Sequence, residues 1–248
     1  MSGVYDEAGF FDSYAEMDRS RRGLAAAGEW PQFRAMFPPL EGKRVLDLGC
    51  GYGWHCAYAA GQGAQSVLGL DPSGRMLAEA ARRNAGERIT YALGSAEDFD
   101  CPPGSFDVVI SNLALHYVAE LEPVFRRVYA ALSGGGVFLI NIEHPTFTAG
   151  VDEDWVYSAQ GEPLYWPVDR YFYPGGRVTR FLGHEIVKQH HTLAQILGGL
   201  LSAGFRLEAV DEARPSGDML SLPGMRDELR RPMMLLIRAS KNGETEES

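Results

Sequence analysis

The chain has 248 residues, 45% hydrophobic and 23% charged, with 33 acidic side chains against 23 lysines and arginines and a formal net charge of −10. That length suffices for one α/β domain with a sizeable core and an insertion. The negative field opposes docking onto phosphate backbones or anionic membrane, so nucleic acid and membrane are both disfavoured as partners. Cys50, Cys56 and Cys101 are the only cysteines, odd in number and without a C-x-x-C pair. Neither a disulfide framework nor a metal site is expected, and a reducing cytoplasm fits. The acidic N-terminus lacks the apolar centre of a signal peptide, and no apolar run approaches the roughly 20 residues of a membrane span.

In chain order, Phe10 to Met17 has helical spacing, with Phe10, Tyr14 and Met17 on one side, and a second helical piece runs from about Glu29 to Phe37, stopped by Pro38-Pro39. Val45, Leu46 and Leu48 then form a short apolar run suited to a strand buried on both faces. Asp47, Gly49, Gly51 and Gly53 complete the pattern D-x-G-x-G-x-G, and a helix opens at Trp54. Strand, glycine turn and helix N-terminus make the nucleotide-binding corner of a doubly wound sheet. The third glycine of a dinucleotide loop, G-x-G-x-x-G, would fall on Trp54. Asp47 repels a pyrophosphate and suits an ammonium group.

Ser66 to Asp71 is the second strand, and Asp71 lies close to the offset of about 20 residues for a carboxylate that accepts the ribose hydroxyls. Ser73 caps the helix Arg75 to Asn84. Ile89 to Leu93 is the third strand and Phe106 to Ile110 the fourth. A helix from about Glu122 to Leu132 is expected to end on the Ser133–Gly136 glycines. The fifth strand is Val137 to His144, stopped by Pro145.

From 145 to 188 the chain is rich in aromatics, including Trp155, Trp166, Tyr171 and Tyr173, with no helical period. It leaves the C-terminal end of a central strand, where open α/β sheets bind ligands, and is expected to roof the substrate site. Thr192 to Gln195 is a capping box opening a helix to Ala203. Phe205 to Asp211 and Met233 to Ile237 are the last strands, and the polar tail from Lys241 is expected to be mobile.

These motifs resemble the class I S-adenosylmethionine-dependent methyltransferases, specifically those acting on small molecules, over about Leu40 to Ile142 and again over Thr192 to Ile237. The resemblance implies one α/β Rossmann-like domain over residues 1–248, a doubly wound sheet of seven strands in the order 3-2-1-4-5-7-6 with the last strand antiparallel, and helices on both faces. It also implies an N-terminal helical lid (1–39), on which Tyr14 or Tyr5 closes over the cofactor. S-adenosyl-L-methionine would be the cofactor and a small molecule the methyl acceptor. The implied cofactor contacts are Asp47, Gly49, Gly51, Gly53, Asp71, Pro72, Met76, Ser95, Ala96, Glu97, Asn112 and Leu113. Ser95 departs from the family's usual Asp.

The family position of His116, just past the fourth strand, puts it near the transferred methyl. Glu143, His144, His190 and His191 point toward the same mouth. His116, Glu143, His144 and His190 are the candidate proton acceptors, since histidine is poised near neutral pH. Tyr117, Trp166 and Tyr173 are the candidate substrate contacts, and His55 reads as packing behind the cofactor. Two other readings compete. A nicotinamide-dependent oxidoreductase fails on the glycine spacing and lacks a Tyr-x-x-x-Lys pair, which leaves a methyltransferase-like protein that holds the cofactor without turnover.

Overall fold

The computed structural model describes residues 4–150 and 152–243. The expected mobile tail falls largely on 244–248, outside the described residues. Three helices, α1 (Ala8–Ala15), α2 (Asp18–Arg22) and α3 (Trp30–Ala35), precede the first strand, β1 (Arg44–Leu48). There follow α4 (Trp54–Gly61), β2 (Ser66–Asp71), α5 (Gly74–Arg83), β3 (Ile89–Leu93), β4 (Phe106–Asn112), α6 (Leu121–Ala131) and β5 (Leu132–Glu143). The main sheet closes with β10 (Arg206–Glu212) and β11 (Met234–Ser240), α8 (Leu193–Ser202) leading into them.

Seven strands form one sheet in the order β10-β11-β5-β4-β1-β2-β3. This is the order 3-2-1-4-5-7-6, with β11 antiparallel to both its neighbours and β1 parallel to β2 and β4. The central strands are apolar on both faces because both are covered. Leu46, Val109, Phe138 and Ile140 meet α6 and α8 through Phe125, Val128, Ile196 and Leu200. Val45, Val108, Ile110 and Leu139 meet α3 and α4 through Phe33, Cys56 and Ala59 on the other side.

The helix starts follow the local chemistry. The Ser73 hydroxyl accepts from the Met76 N–H at 3.2 Å, and both halves of the Thr192–Gln195 capping box form, at 2.9 and 3.1 Å. One boundary differs from expectation. No glycine cap closes α6, because Leu132 is already extended (φ −77°, ψ 140°) and β5 begins there, running through the glycines. Asp107 holds this early start, accepting from the Ser133 hydroxyl at 2.9 Å while its carboxylate grips Arg44 at 2.8 Å.

The segment after β5 forms a short helix, α7 (Pro145–Thr148), and two hairpins, β6 (Val156–Tyr157) with β7 (Pro163–Tyr165) and β8 (Gly175–Phe181) with β9 (His184–His190). Leu182 (φ 53°) and Gly183 (φ 83°) make the left-handed pair that a two-residue hairpin turn requires. Alternation in β9 turns Ile186, Lys188 and His190 inward, all buried, and leaves Val187 on the outer face.

Candidate active site

A cavity of about 850 Å³ opens at the C-terminal ends of β1, β2, β4 and β5. One end is the glycine turn. Gly49, Gly51 and Gly53 all have positive φ (75°, 52° and 75°), but their surroundings differ. A Cβ on Gly49 would lie 2.3 Å from the Ala114 Cβ, and one on Gly53 2.1 Å from the Tyr91 hydroxyl. Both are packing glycines. At Gly51 nothing lies within 4 Å, and it alone of the three leaves open space over the turn.

Asp71 lies beside that space. Its carboxylate accepts from the Gly51 N–H and the Ser73 N–H, each at 2.9 Å, so the strand tip and the glycine turn are tied together. Burial lifts its pKa to about 6 against the lowering effect of those two bonds. Pro72, Met76, Ser95, Ala96 and Glu97 line the same end. The Ser95 hydroxyl is occupied by Asp98 at 2.6 Å. Asn112 and Leu113 follow β4 into the cavity. Leu113 holds a left-handed conformation (φ 53°) that a branched residue rarely adopts, secured by its N–H donating to the Asn141 carbonyl at 2.7 Å.

The N-terminal segment closes one side. Tyr5 and Tyr14 line the cavity with rings 5.3 Å apart, and the Tyr5 and Tyr117 hydroxyls are 3.0 Å apart. The β8–β9 hairpin closes the other through Phe181, Ile186 and Lys188. The two flaps meet where Phe10 packs on His184 and Phe181 (ring centroids 5.6 and 6.1 Å).

The far end of the cavity holds a buried ionic group. Lys188 Nζ donates to Glu143 Oε1 at 2.6 Å and to Glu153 Oε2 at 2.8 Å. Burial opposes its charge, but the two carboxylates outweigh that and hold the ammonium above the usual lysine value. Glu143 Oε2 and Glu153 Oε1 have no hydrogen-bond partner among the described residues. His116 Nε2 is 3.9 Å from Glu143, and its Nδ1 has no partner. Burial, with Lys188 and His191 adding to it, pushes the His116 pKa well down, so the ring is neutral.

Several expected site residues lie elsewhere. Asp47 is 1% exposed and does not line the cavity; it sits behind the glycine turn, where its Oδ2 accepts from the Cys56 thiol at 3.3 Å. His144 caps α7, its Nδ1 accepting from the Thr146 N–H at 3.0 Å, so the proton is on Nε2, which points to Glu212 at 3.0 Å, away from the cavity. His190 is saturated. Its Nε2 donates to the Tyr171 carbonyl at 2.8 Å, leaving Nδ1 to accept from the Thr148 hydroxyl at 2.7 Å. His191 likewise spends its Nε2–H on the Val118 carbonyl at 2.9 Å. Each of these imidazoles joins two chain segments.

The expected substrate contacts divide the same way. Tyr117 lines the cavity, whereas Trp166 and Tyr173 do not. Trp166 donates to the Thr146 carbonyl at 3.1 Å, and its ring stacks on Phe147 (5.0 Å) with the Arg231 guanidinium within reach of both rings (4.3 and 4.9 Å). Tyr173 is exposed. Aromatic enrichment marked the segment, but Trp155 and Trp166 pack on one another and Tyr157, Tyr165, Phe172 and Tyr173 are exposed. Lys188, Glu153 and Phe181, which do reach the cavity, were not singled out in the sequence. A lysine in phase with Ile186 and His190 was the available signal for Lys188; Glu153 sits in an irregular turn (φ 49°) with no period to read.

Asp47 gives a test of its position. Burial raises its pKa to about 7, with the Cys56 thiol bond offsetting little, and Oδ1 has no partner. An acid raised on folding favours the folded state most when protonated. That stability is full below pH ~4 and is lost as pH climbs to about 7. Asp47→Asn is expected to abolish this slope and to be more stable than the parent at pH 8 by on the order of 1–3 kcal/mol. Urea unfolding at pH 5 and pH 8 measures it, and a variant weaker than the parent at pH 8 contradicts the assignment.

A doubly wound sheet of this order, with a glycine turn open over one residue and a carboxylate at the next strand tip, is the crevice of a nucleoside cofactor. Residues 46–140 match the methyltransferase domain family. The chain belongs to the S-adenosylmethionine-dependent methyltransferases.

Among its relatives, a crystal structure of such an enzyme from Mesorhizobium loti is 42% identical, covering 88% of this chain and 100% of that one, with a TM-score of 0.82. One from Listeria monocytogenes, assigned to the same class, is 46% identical over 89% of this chain and 99% of that one, with a TM-score of 0.84. An uncharacterised Haemophilus influenzae protein is 28% identical, with 96% of each chain covered. The chain spans about half or less of the curated relatives with named activities, such as 41% of a Hahella chejuensis tRNA U34 carboxymethyltransferase. The residues around the turn fit S-adenosylmethionine: Gly51 leaves room for its approach, and Asp71 presents a carboxylate into the same space.

Proposed function

We propose that the chain methylates a small molecule, which enters the far end of the cavity while the cofactor occupies the glycine end. The carrying observation is that both ends belong to one cavity of about 850 Å³, within the range of small-ligand sites, with a flap on either side. A folded nucleic acid does not fit between such flaps, and the cavity wall carries six carboxylates against three basic side chains. No helix among the described residues is long and apolar enough to cross a membrane.

In this reading the Gly51 backbone gives close approach to the cofactor, Asp71 accepts the ribose hydroxyls, and Met76, Ser95, Ala96 and Glu97 surround the base. Asn112 and Leu113 flank the amino-acid part, and Tyr5 and Tyr14 close over it. When bound, the cofactor supplies a methyl already activated on a sulfonium. The chain then contributes alignment and the exclusion of water. His116, kept neutral, offers Nδ1 as a hydrogen-bond acceptor that orients the substrate. Its depressed basicity makes it a poor final home for a proton, and Glu143, raised by burial although Lys188 lowers it, is the better one.

Titration calorimetry with S-adenosylhomocysteine tests the cofactor half. Saturable binding is expected, with competition by S-adenosylmethionine and no heat from NAD. The acceptor half is tested by methyl-transfer assays over small-molecule and tRNA pools. Label appearing in tRNA alone would overturn the small-molecule reading.

A further inference from the structure

Resting on that reading of the far end as the acceptor pocket, we infer that the acceptor carries a cationic amine, and that Glu143 and Glu153 are the residues that recognise it. Two carboxylates and one ammonium share the site, so with both acids ionised it is one positive charge short of balance. The deficit is local. Side-chain exposure is 13% for Glu143, 7% for Glu153 and 5% for Lys188, so water does not screen it. His116, the nearest imidazole, is neutral and supplies nothing.

Hydrogen bonding tells the same story independently. Glu143 Oε1 and Glu153 Oε2 are taken by Lys188, and Oε2 of Glu153 also accepts from the Thr179 hydroxyl at 3.2 Å. The second oxygen of each carboxylate has no hydrogen-bond partner among the described residues. Two acceptors without donors, on the same two carboxylates that hold the ammonium, suit a group that donates several hydrogen bonds and accepts none.

An anionic acceptor would meet those same two acids, whose combined charge exceeds that of the single ammonium between them. A neutral alcohol could satisfy one oxygen and would leave the charge unbalanced. The walls favour an amine on a carbon skeleton. The Phe147 and Phe181 rings line the cavity and lie 5.7 and 5.5 Å from Lys188 Nζ, so apolar surface adjoins the ionic group.

The experiment uses the full chain saturated with S-adenosylhomocysteine and three probes of one shape: 2-phenylethylamine, 2-phenylethanol and 3-phenylpropanoate. Calorimetry is expected to give the amine at least tenfold tighter binding than the alcohol, with the propanoate weakest. Glu153→Gln should shrink the amine's advantage to less than threefold, while Lys188 remains paired with Glu143 and the fold persists. Alcohol or propanoate binding as tightly as the amine, no binding by any probe, or an advantage untouched in Glu153→Gln each overturns the inference. S-adenosylhomocysteine affinity, read in the same series, separates the two failures: its loss would sink the cofactor reading instead.

Discussion

Asp71→Ala is expected to weaken S-adenosylhomocysteine binding at least about 50-fold. A carboxylate accepting two ribose hydroxyls makes two charge-assisted bonds of roughly 1.5–3 kcal/mol each, and about 1.4 kcal/mol is a factor of ten. Part of that is recovered by water in the truncated site, which sets the lower bound. The substitution also strips the Gly51 and Ser73 N–H groups of their acceptor, costing on the order of 1 kcal/mol of stability for each. Asp71→Asn, which keeps one oxygen acceptor, should fall between the two.

The pH dependence separates loss of the ribose contact from loss of the turn. Because Asp71 is raised to about 6 and binding needs its ionised form, parental affinity is full above that value and declines as pH falls through it. The alanine variant should show no such decline. Calorimetry between pH 5 and pH 8 reads both effects, and an unchanged affinity in Asp71→Ala would mean that the ribose lies elsewhere.

Lys188→Met is the second large effect, and it acts on stability. Among the described residues the ammonium is the only hydrogen-bond partner of Glu143 Oε1 and the principal partner of Glu153 Oε2, so removing it strands two like charges. Breaking a buried ion pair by deleting one member costs about 3–5 kcal/mol. Keeping the pair adds far less, because desolvating the ions offsets most of their attraction. The deficit should be large at pH 8 and shrink as pH falls, since burial raises both glutamates and they protonate first. Adding Glu143→Gln and Glu153→Gln to Lys188→Met should restore most of the loss. Urea denaturation of the parent, single and triple variants at pH 5.5 and pH 8 decides it. Equal deficits at both pH values would show that the methionine fails for packing reasons and not for charge.

Local pattern pointed to many of the residues that line the cavity. The glycine turn, Asp71, Met76, Asn112, Leu113 and His116 come from strand ends and the turns beside them, and a parallel sheet aligns all such ends on one edge. Their convergence follows from topology alone, so residues named one at a time along the chain could be grouped in advance. Asp47 is the instructive exception. Its spacing put it in the motif, but two-residue alternation in β1 turned its side chain behind the turn toward Cys56.

The amino-acid sequence by itself determined the succession of strands and helices and the glycine turn, because period-two apolar runs, caps and glycine spacing act over a few residues; the seven-stranded order and the cofactor class followed from the family resemblance those motifs carry. Only the tertiary structure decided which polar groups face the acceptor. His144 and His190 were indistinguishable from His116 as sequence, and became structural once Thr146, Thr148 and the Tyr171 carbonyl were seen to occupy them. Lys188 meets Glu143 and Glu153 from 45 and 35 residues away along the chain. Whether a buried charge is paired, spare or spent depends on partners that distant, and no local period encodes them.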